Sequence, residues 1–486
     1  MDNKKPNLII ICADEMRGDC AGFAGNPDCL TPNLDRFASR GVFFTQHFCV
    51  HGKCVPSRVS MVTGRYAHTD GFRTINRHLA PGEPNLLDAL KKLDYETAVF
   101  GHNHVWEGFW GDNSKGGGCV DYHSYTRGYF DRIPEKRRVL APPGPGAKKP
   151  LALEDGFDYE GRIEGEITGF SDYARTEQAV HYLRSVRDRS RPFFMQLNFG
   201  YPHPAYRVEE PYFSMYDRDK IKPWPCDLPR NAPLPLRIMR KVRTGAGDNP
   251  EAFREIQAVY YGMITRTDAL AGEILNEIER EGLLENSIVI FTSDHGDFAG
   301  QYGLVEKWDT CLADCIMHVP FILYSPGLPG GKRVDDLTEH TDLVPTVLAL
   351  LGAKPEWGVH GESLLPVISG ERKKEAVFAD GGHEQEMWGR FNFAVKPGKR
   401  DGKQETYAKY PETMARAKMV RTKDWKLVAR LVGGDELYDL AHDPFEMNNL
   451  YGDPAYDYIV LDLQRKLIQW CLRTDTDRPF QPEVGA

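Results

Sequence analysis

The 486-residue sequence has no apolar run long enough to cross a bilayer, no CxxC pair, no internal repeat and no low-complexity tail. The first absence argues against a membrane-spanning helix and so against a membrane partner. Ten cysteines in a chain of this length do not make a disulfide scaffold. Cys311 and Cys315 lie four apart, as on one helix face, and read as buried thiols rather than a metal pair. Basic residues are also in deficit: 61 Lys and Arg against 70 Asp and Glu leave a net charge of −9. A general nucleic-acid binder would need a basic face, so no nucleic-acid partner is expected. An anionic small substrate is still allowed, because a basic pocket can sit in an acidic protein. The start, Met1-Asp2-Asn3-Lys4-Lys5-Pro6, leads into a five-residue apolar run too short for a signal-peptide core. The expectation is a cytoplasmic protein as written, or a periplasmic or secreted one if a leader has been removed.

What is present is alternation. Short apolar runs at residues 8–12, 97–100, 193–197, 287–291 and 320–324 are predicted strands. Helical patterns fall between them, at 170–187 and at 250–281, where Ile256, Val259, Tyr260, Met263, Ile264, Leu270, Ile274 and Ile278 share one stripe. The order implies an α/β fold with a large, mostly parallel sheet between helices. After about residue 370 the character changes to short strands around Val420, 426–429 and 436–440 and a closing helix at 455–472. The expected division is a catalytic domain over 1–370 and a C-terminal α+β subdomain with an antiparallel sheet over 371–486. Two Pro-rich stretches, 141–150 and 221–235, read as surface loops walling a cleft.

In open parallel sheets ligands bind beyond the carboxyl ends of the strands. Those ends deliver Asp14-Glu15, then His102-Asn103-His104, then Asn198 through His203, then Asp294-His295. Asp14, Glu15, Asp294 and His295 form a candidate site for a hard or intermediate divalent ion. Each pair alone reads equally as a helix start or a turn; both pairs at strand ends favour a metal. The segment Cys54-Val55-Pro56-Ser57-Arg58 with Thr63-Gly64-Arg65 is more specific. Pro56 and Ser57 suit a helix start, Gly64 its end, and Cys54 falls just before the helix N-terminus, where anions and thiolates are favoured.

On that C-x-P-S-R-x-x-x-x-T-G-R segment the chain resembles the formylglycine-dependent (type I) sulfatase family of the alkaline-phosphatase-like superfamily. The likeness extends to Asn7-Leu8-Ile9 with Asp14, Thr31-Pro32-Asn33-Leu34-Asp35, Ser293-Asp294-His295-Gly296, Asp342-Leu343-Val344-Pro345-Thr346 and Glu436-Leu437-Tyr438-Asp439-Leu440. It implies that a separate maturation enzyme oxidises Cys54 to formylglycine, which hydrates to a diol. One diol hydroxyl would attack sulfur, and the second would lose its proton to expel sulfate. Asp14, Glu15, Asp294, His295 and the modified Cys54 would hold one divalent ion, expected to be calcium, with manganese or magnesium as alternatives. Arg58 would orient the diol. Lys307 would contact the sulfate, His203 would contact it or protonate the leaving group, and His104 would assist the second step. His102, Asn76 and Arg73 are candidates for substrate contacts, and Arg77, Trp106 and Tyr201 are weaker ones. The substrate implied is a small-molecule or oligosaccharide sulfate ester, with Trp106, Trp224 and Trp308 as candidates to stack on a sugar ring.

Three positions depart from the common family pattern: Glu15 in place of a second aspartate, His295 in place of asparagine and His102 in place of lysine. His295 also suits phosphonate monoester hydrolases, so a phosphonate monoester or phosphodiester hydrolase is the alternative function. A thiol hydrolase using unmodified Cys54 would have no need of the metal, and a non-catalytic binding protein would not need the cysteine motif. Oligomeric state is not legible.

Overall fold

Ile9, Ile10 and Ile11 make the strand Asn7–Asp14 apolar on both faces, and all eight of its residues are buried. That is the pattern of a central parallel strand. A computed structural model of the chain describes residues 5–75, 77–101, 104–106, 122–124, 151–153, 155–164, 172–245, 249–384 and 402–475. Asn7–Asp14 lies inside an eight-stranded sheet, in the order Lys332–Val334, Val42–Phe44, Phe321–Tyr324, Ser287–Ser293, Asn7–Asp14, Phe193–Pro202, Glu96–Gly101 and Tyr122–Ser124. Phe321–Tyr324 runs antiparallel to both neighbours, and the other pairings are parallel. The predicted strand at 320–324 is therefore the reversed member. Val42–Phe44 and Lys332–Val334 escaped prediction because three residues carry too little periodicity.

Alternation along the strands sends side chains into two cores. Ile9 and Ile11 pack with Phe100, Leu197, Val289 and Phe291 beneath the helix Pro250–Arg280. Leu8 and Ile10 pack on the opposite face with Val59 and Val62 of the helix Cys54–Thr63 and with Val344 and Val347 of the helix Leu343–Leu350. Each fully buried Ile or Leu contributes roughly 1.5–3 kcal/mol, so the scaffold that carries the site is held by carbon packing. The long helix starts where Asn249 caps it, its side chain accepting the Ala252 N–H at 3.1 Å.

Val377–Gly381, Ala417–Arg421, Trp425–Arg430 and Glu436–Asp439 form a separate antiparallel sheet in that order. One face covers Trp308, Leu312 and Ile316; the other carries Leu463, Leu467 and Trp470 of the helix Asp457–Thr474. Cys311 and Cys315 do not share a helix face: the helix Asp314–Met317 includes only Cys315, and both thiols are buried and free. The predicted loop at 141–150 lies outside the described residues. Among the described residues no helix is long and apolar enough to cross a membrane.

Candidate active site

Register brings the two halves of the site together. Ala13 pairs with Ser293, so Asp14 and Asp294 leave adjacent strands side by side. The Asp294 N–H donates to the Ala13 carbonyl at 3.3 Å, and the Glu15 N–H donates to Asp294 Oδ1 at 3.1 Å. Cys54 is the first residue of its helix rather than the one before it, and Gly64 ends that helix with φ 68°. A Cβ on Gly64 would also meet Val359 Cγ1 at 3.1 Å, so glycine suits this position on both counts.

Donor atoms of Asp14, Cys54, Asp294 and His295 all lie within 4.8 Å of one another. His295 Nε2 is 3.3 Å from Cys54 Sγ, and Sγ is 3.9 Å from Asp14 Oδ1. The other His295 nitrogen, Nδ1, lies 3.0 Å from the Gly296 carbonyl, which can only accept. That fixes the proton on Nδ1 and leaves the Nε2 lone pair for a metal. Burial lowers the imidazole to about 4, against the pull of Asp294, so it is neutral near pH 7. Two carboxylates, a neutral imidazole and the residue-54 atom suit a divalent ion.

Arg58 holds this set in place. Its guanidinium donates to Asp294 Oδ2 at 2.8 Å, Asp14 Oδ2 at 3.0 Å and Asn198 Oδ1 at 2.9 Å. Burial raises the Asp14 carboxyl, but Arg58 and the other cations around it outweigh that and hold it well below the ordinary carboxylate range. Ser57 Oγ donates to the Asp294 carbonyl at 2.5 Å. Burial and the Asp14 charge push the Cys54 thiol well above its ordinary value. Unmodified Cys54 is therefore a poor thiolate nucleophile among these groups.

Glu15 takes a different direction from the other predicted metal residues. Its backbone sits in the left-handed region at φ 69°, and the Tyr260 hydroxyl donates to its carbonyl at 2.6 Å. Its carboxylate receives Lys307 Nζ at 2.8 Å and lies 3.2 Å from His203 Nε2. It groups with Asp14 and His203 rather than with Cys54, Asp294 and His295. Glu15 Oε1 is buried with no hydrogen-bond partner, an orphan that a cation beside the cluster would satisfy. The Glu15 and Glu306 charges outweigh burial, so Lys307 keeps its proton.

His104, with φ 51°, follows the strand Glu96–Gly101. His102 and Asn76 lie outside the described residues. Arg73 lies away from the Cys54 donor cluster: its Nε donates to Glu384 Oε1 at 2.9 Å, and its Nη1 is 4.0 Å from Asp380. Arg77 lies over the Phe72 ring at 4.3 Å and pairs with Glu83, a surface arrangement. Two of the stacking candidates are spoken for. Trp308 is fully buried against Tyr407, and Trp224 carries the Arg17 guanidinium on its ring at 3.9 Å. Trp106 is buried as well. Tyr201 lies under the Arg266 guanidinium at 4.3 Å. The stretch 221–235 does wall a cleft, but Trp224 and Pro225 line a groove of about 1700 Å³ that no residue of the Cys54 cluster lines. Sequence reasoning passed over Asn198 and Ser57, although both stand in quoted strand-end and cysteine segments.

The sheet topology and the carboxylate–cysteine cluster are those that the sulfatase resemblance implies. The sulfatase family profile matches residues 6–353, and that of the N-sulphoglucosamine sulphohydrolase C-terminal region matches 383–472. The chain belongs to the sulfatase family and is a sulfuric ester hydrolase. It is 28% identical to an ulvan-active sulfatase of Formosa agariphila over 480 residues, covering 95% of this chain and 80% of that one. It is 26% identical to an arylsulfatase of Clostridium perfringens, covering 96% and 94%. The phosphonate monoester hydrolase of Agrobacterium radiobacter superposes with a TM-score of 0.74 at 24% identity, covering 97% and 96%; at that identity the likeness is one of fold.

Proposed function

We propose that the protein removes sulfate from a sulfated carbohydrate, using formylglycine made from Cys54 by a maturation enzyme and one calcium ion. The observation that carries this reading is the donor cluster of Asp14, Cys54, Asp294 and His295 at a helix start. The Cys54 sulfur stands where the hydrated aldehyde would stand, the group that supplies a hydroxyl nucleophile. A divalent ion held by Asp14, Asp294 and His295, with Glu15 beside them, would lower the pKa of that hydroxyl and neutralise sulfate oxygens. Mainly oxygen donors favour calcium over a softer ion.

The chain's own residues serve the rest of the reaction. Arg58 fixes both carboxylates, so the charge of the site is set before substrate arrives. Lys307 places a permanent cation next to Glu15, suited to a sulfate oxygen. His203 is partly open to solvent, and its Nδ1 is tied to the Pro204 carbonyl at 2.5 Å. With the proton held on Nδ1, Nε2 donates to the departing alcohol only from the imidazolium form, which would pair with Glu15 3.2 Å away. His104 is assigned to the step that restores the aldehyde. The carbohydrate class draws support from the ulvan-active relative. The same reading divides catalytic domain from C-terminal subdomain near residue 370.

The test is protein co-expressed with a formylglycine-generating enzyme. Intact mass should report conversion of Cys54, and borohydride should abolish sulfate-ester turnover. Activity that survives borohydride, or that needs no conversion, would contradict the proposal. Dominant turnover of a phosphonate monoester would move the assignment to the alternative.

A further inference from the structure

A second buried polar cluster borders the first and is absorbed by none of the roles above. It collects at a seam. His51 and Lys53 precede the helix Cys54–Thr63, Asp309 stands two residues after Lys307, and Asp380 lies in the strand Val377–Gly381 of the C-terminal sheet. Backbone contacts fix the seam: the Asp380 N–H donates to the Val50 carbonyl at 3.1 Å. A Cβ on Gly381 would fall 1.9 Å from the Asp309 carbonyl oxygen, so only glycine lets the two segments approach this closely.

Asp309 is satisfied. Lys53 Nζ lies 3.2 Å away, and the Thr74 and Tyr407 hydroxyls donate to it at 3.1 and 3.2 Å. Asp380 is not. Both its oxygens are buried without a hydrogen-bond partner. Its nearest cations stand at ion-pair rather than hydrogen-bond distance, His68 Nδ1 at 3.6 Å, Arg416 at 3.9 Å and Arg73 at 4.0 Å, and Lys418 of the paired strand adds a further positive charge. The two arginines make their shorter contacts, each 2.9 Å, with Glu384 instead. His51 is likewise fully buried with both ring nitrogens unpartnered. Buried polar groups are ordinarily paired, and unpaired ones cluster where a ligand completes them.

Neither residue belongs to a metal-spaced donor group among the described residues, so what completes this set gives hydrogens. A carboxylate only accepts, and an anion has no hydrogen to offer it; neighbouring hydroxyls do. We infer that Asp380 and His51 bind adjacent ring hydroxyls of the sugar whose sulfate lies at Cys54, with Asp380 taking two hydroxyls and His51 a further one. The inference rests on the sulfate-ester reading above and assigns the alcohol half of that substrate. His51 lies three residues before Cys54, and the Asp380 N–H bonds the carbonyl of Val50 beside it, so the seam adjoins the start of the Cys54 helix.

The experiment compares monosaccharide sulfates with 4-nitrophenyl sulfate, which has no hydroxyls, on wild type, Asp380→Asn and His51→Gln, each checked for Cys54 conversion and melting temperature. The expected result is that the ratio of kcat/KM for the best sugar sulfate to that for the aryl sulfate falls on the order of 10- to 100-fold in Asp380→Asn, carried by KM. The same ratio falls less in His51→Gln, which also decides the matter if Asp380→Asn does not fold. An unchanged ratio in both variants would overturn the inference and leave water as the partner of Asp380. Wild type that turns over aryl sulfate but prefers no sugar sulfate would also overturn it while sparing the sulfatase reading. Wild type inactive on every sulfate ester would remove both.

Discussion

Around Cys54, one arginine reaches Asp14, Asp294 and Asn198 through three hydrogen bonds, and His295 is locked by a backbone carbonyl. A few residues earlier in the chain, both His51 ring nitrogens are buried without a hydrogen-bond partner, as are both oxygens of Asp380, whose ion-pair neighbours stand 3.6, 3.9 and 4.0 Å away. The two clusters are alike in burial but differ in completeness, the first leaving Glu15 Oε1 open and the second both Asp380 oxygens and both His51 nitrogens. A site that must stabilise charge gains from groups fixed before substrate binds. A site that must recognise hydroxyls gains from acceptors left open, because the wrong ligand then leaves them unpaired. On the proposed reading, the first cluster serves the sulfate end of a substrate and the second its alcohol.

The comparison can be broken at several points. Cys54→Ala should remove turnover by on the order of a thousandfold or more with little change in melting temperature, measured as initial rates on 4-nitrophenyl sulfate. Arg58→Met should leave Asp14 and Asp294 facing each other without their cation, at a cost of about 3–5 kcal/mol in metal-free protein. Calcium should recover more stability in that variant than in wild type, as read by denaturant unfolding with and without the ion. Removing metal from wild type by chelation should lower stability, and restoring it at about 100 times its Kd should return about 2.7 kcal/mol, seen as a rise in melting temperature.

The smallest effect concerns the open cluster. Burial holds His51 at about 4, below the ordinary histidine value of 6.5. Its neutral form therefore supports the fold fully above pH 6.5, and that support is lost as pH falls towards 4. His51→Gln should flatten the acid limb of the stability–pH curve by about 1.4 kcal/mol per pH unit between those values. An unchanged slope would show that His51 is not buried neutral.

The donor cluster was legible because its carboxylates are written at strand ends. Asp14 and Asp294 each follow an apolar run, and in-register pairing of adjacent strands brings such ends together. The direction of the Glu15 side chain was not legible, since it depends on a left-handed backbone at a non-glycine residue. Nor was Asp380: among the described residues its strand pairs with Ala417–Arg421, some forty residues on, and no short-range pattern announces a contact with Val50. That the rings of Trp224 and Trp308 are covered was not legible, because an aromatic ring in a loop carries no sign of whether its face is taken. Trp308 has Tyr407 stacked at 4.5 Å, and that partner comes from a distant helix.

The central claim is that this site acts on sulfate through a modified Cys54. Its most direct test is a paired rate measurement on 4-nitrophenyl sulfate and a 4-nitrophenyl phosphonate monoester, using protein whose Cys54 conversion has been followed by intact mass. The account predicts sulfate turnover that rises in proportion to the converted fraction and exceeds phosphonate turnover. Phosphonate turnover in excess, or sulfate turnover independent of conversion, would contradict it.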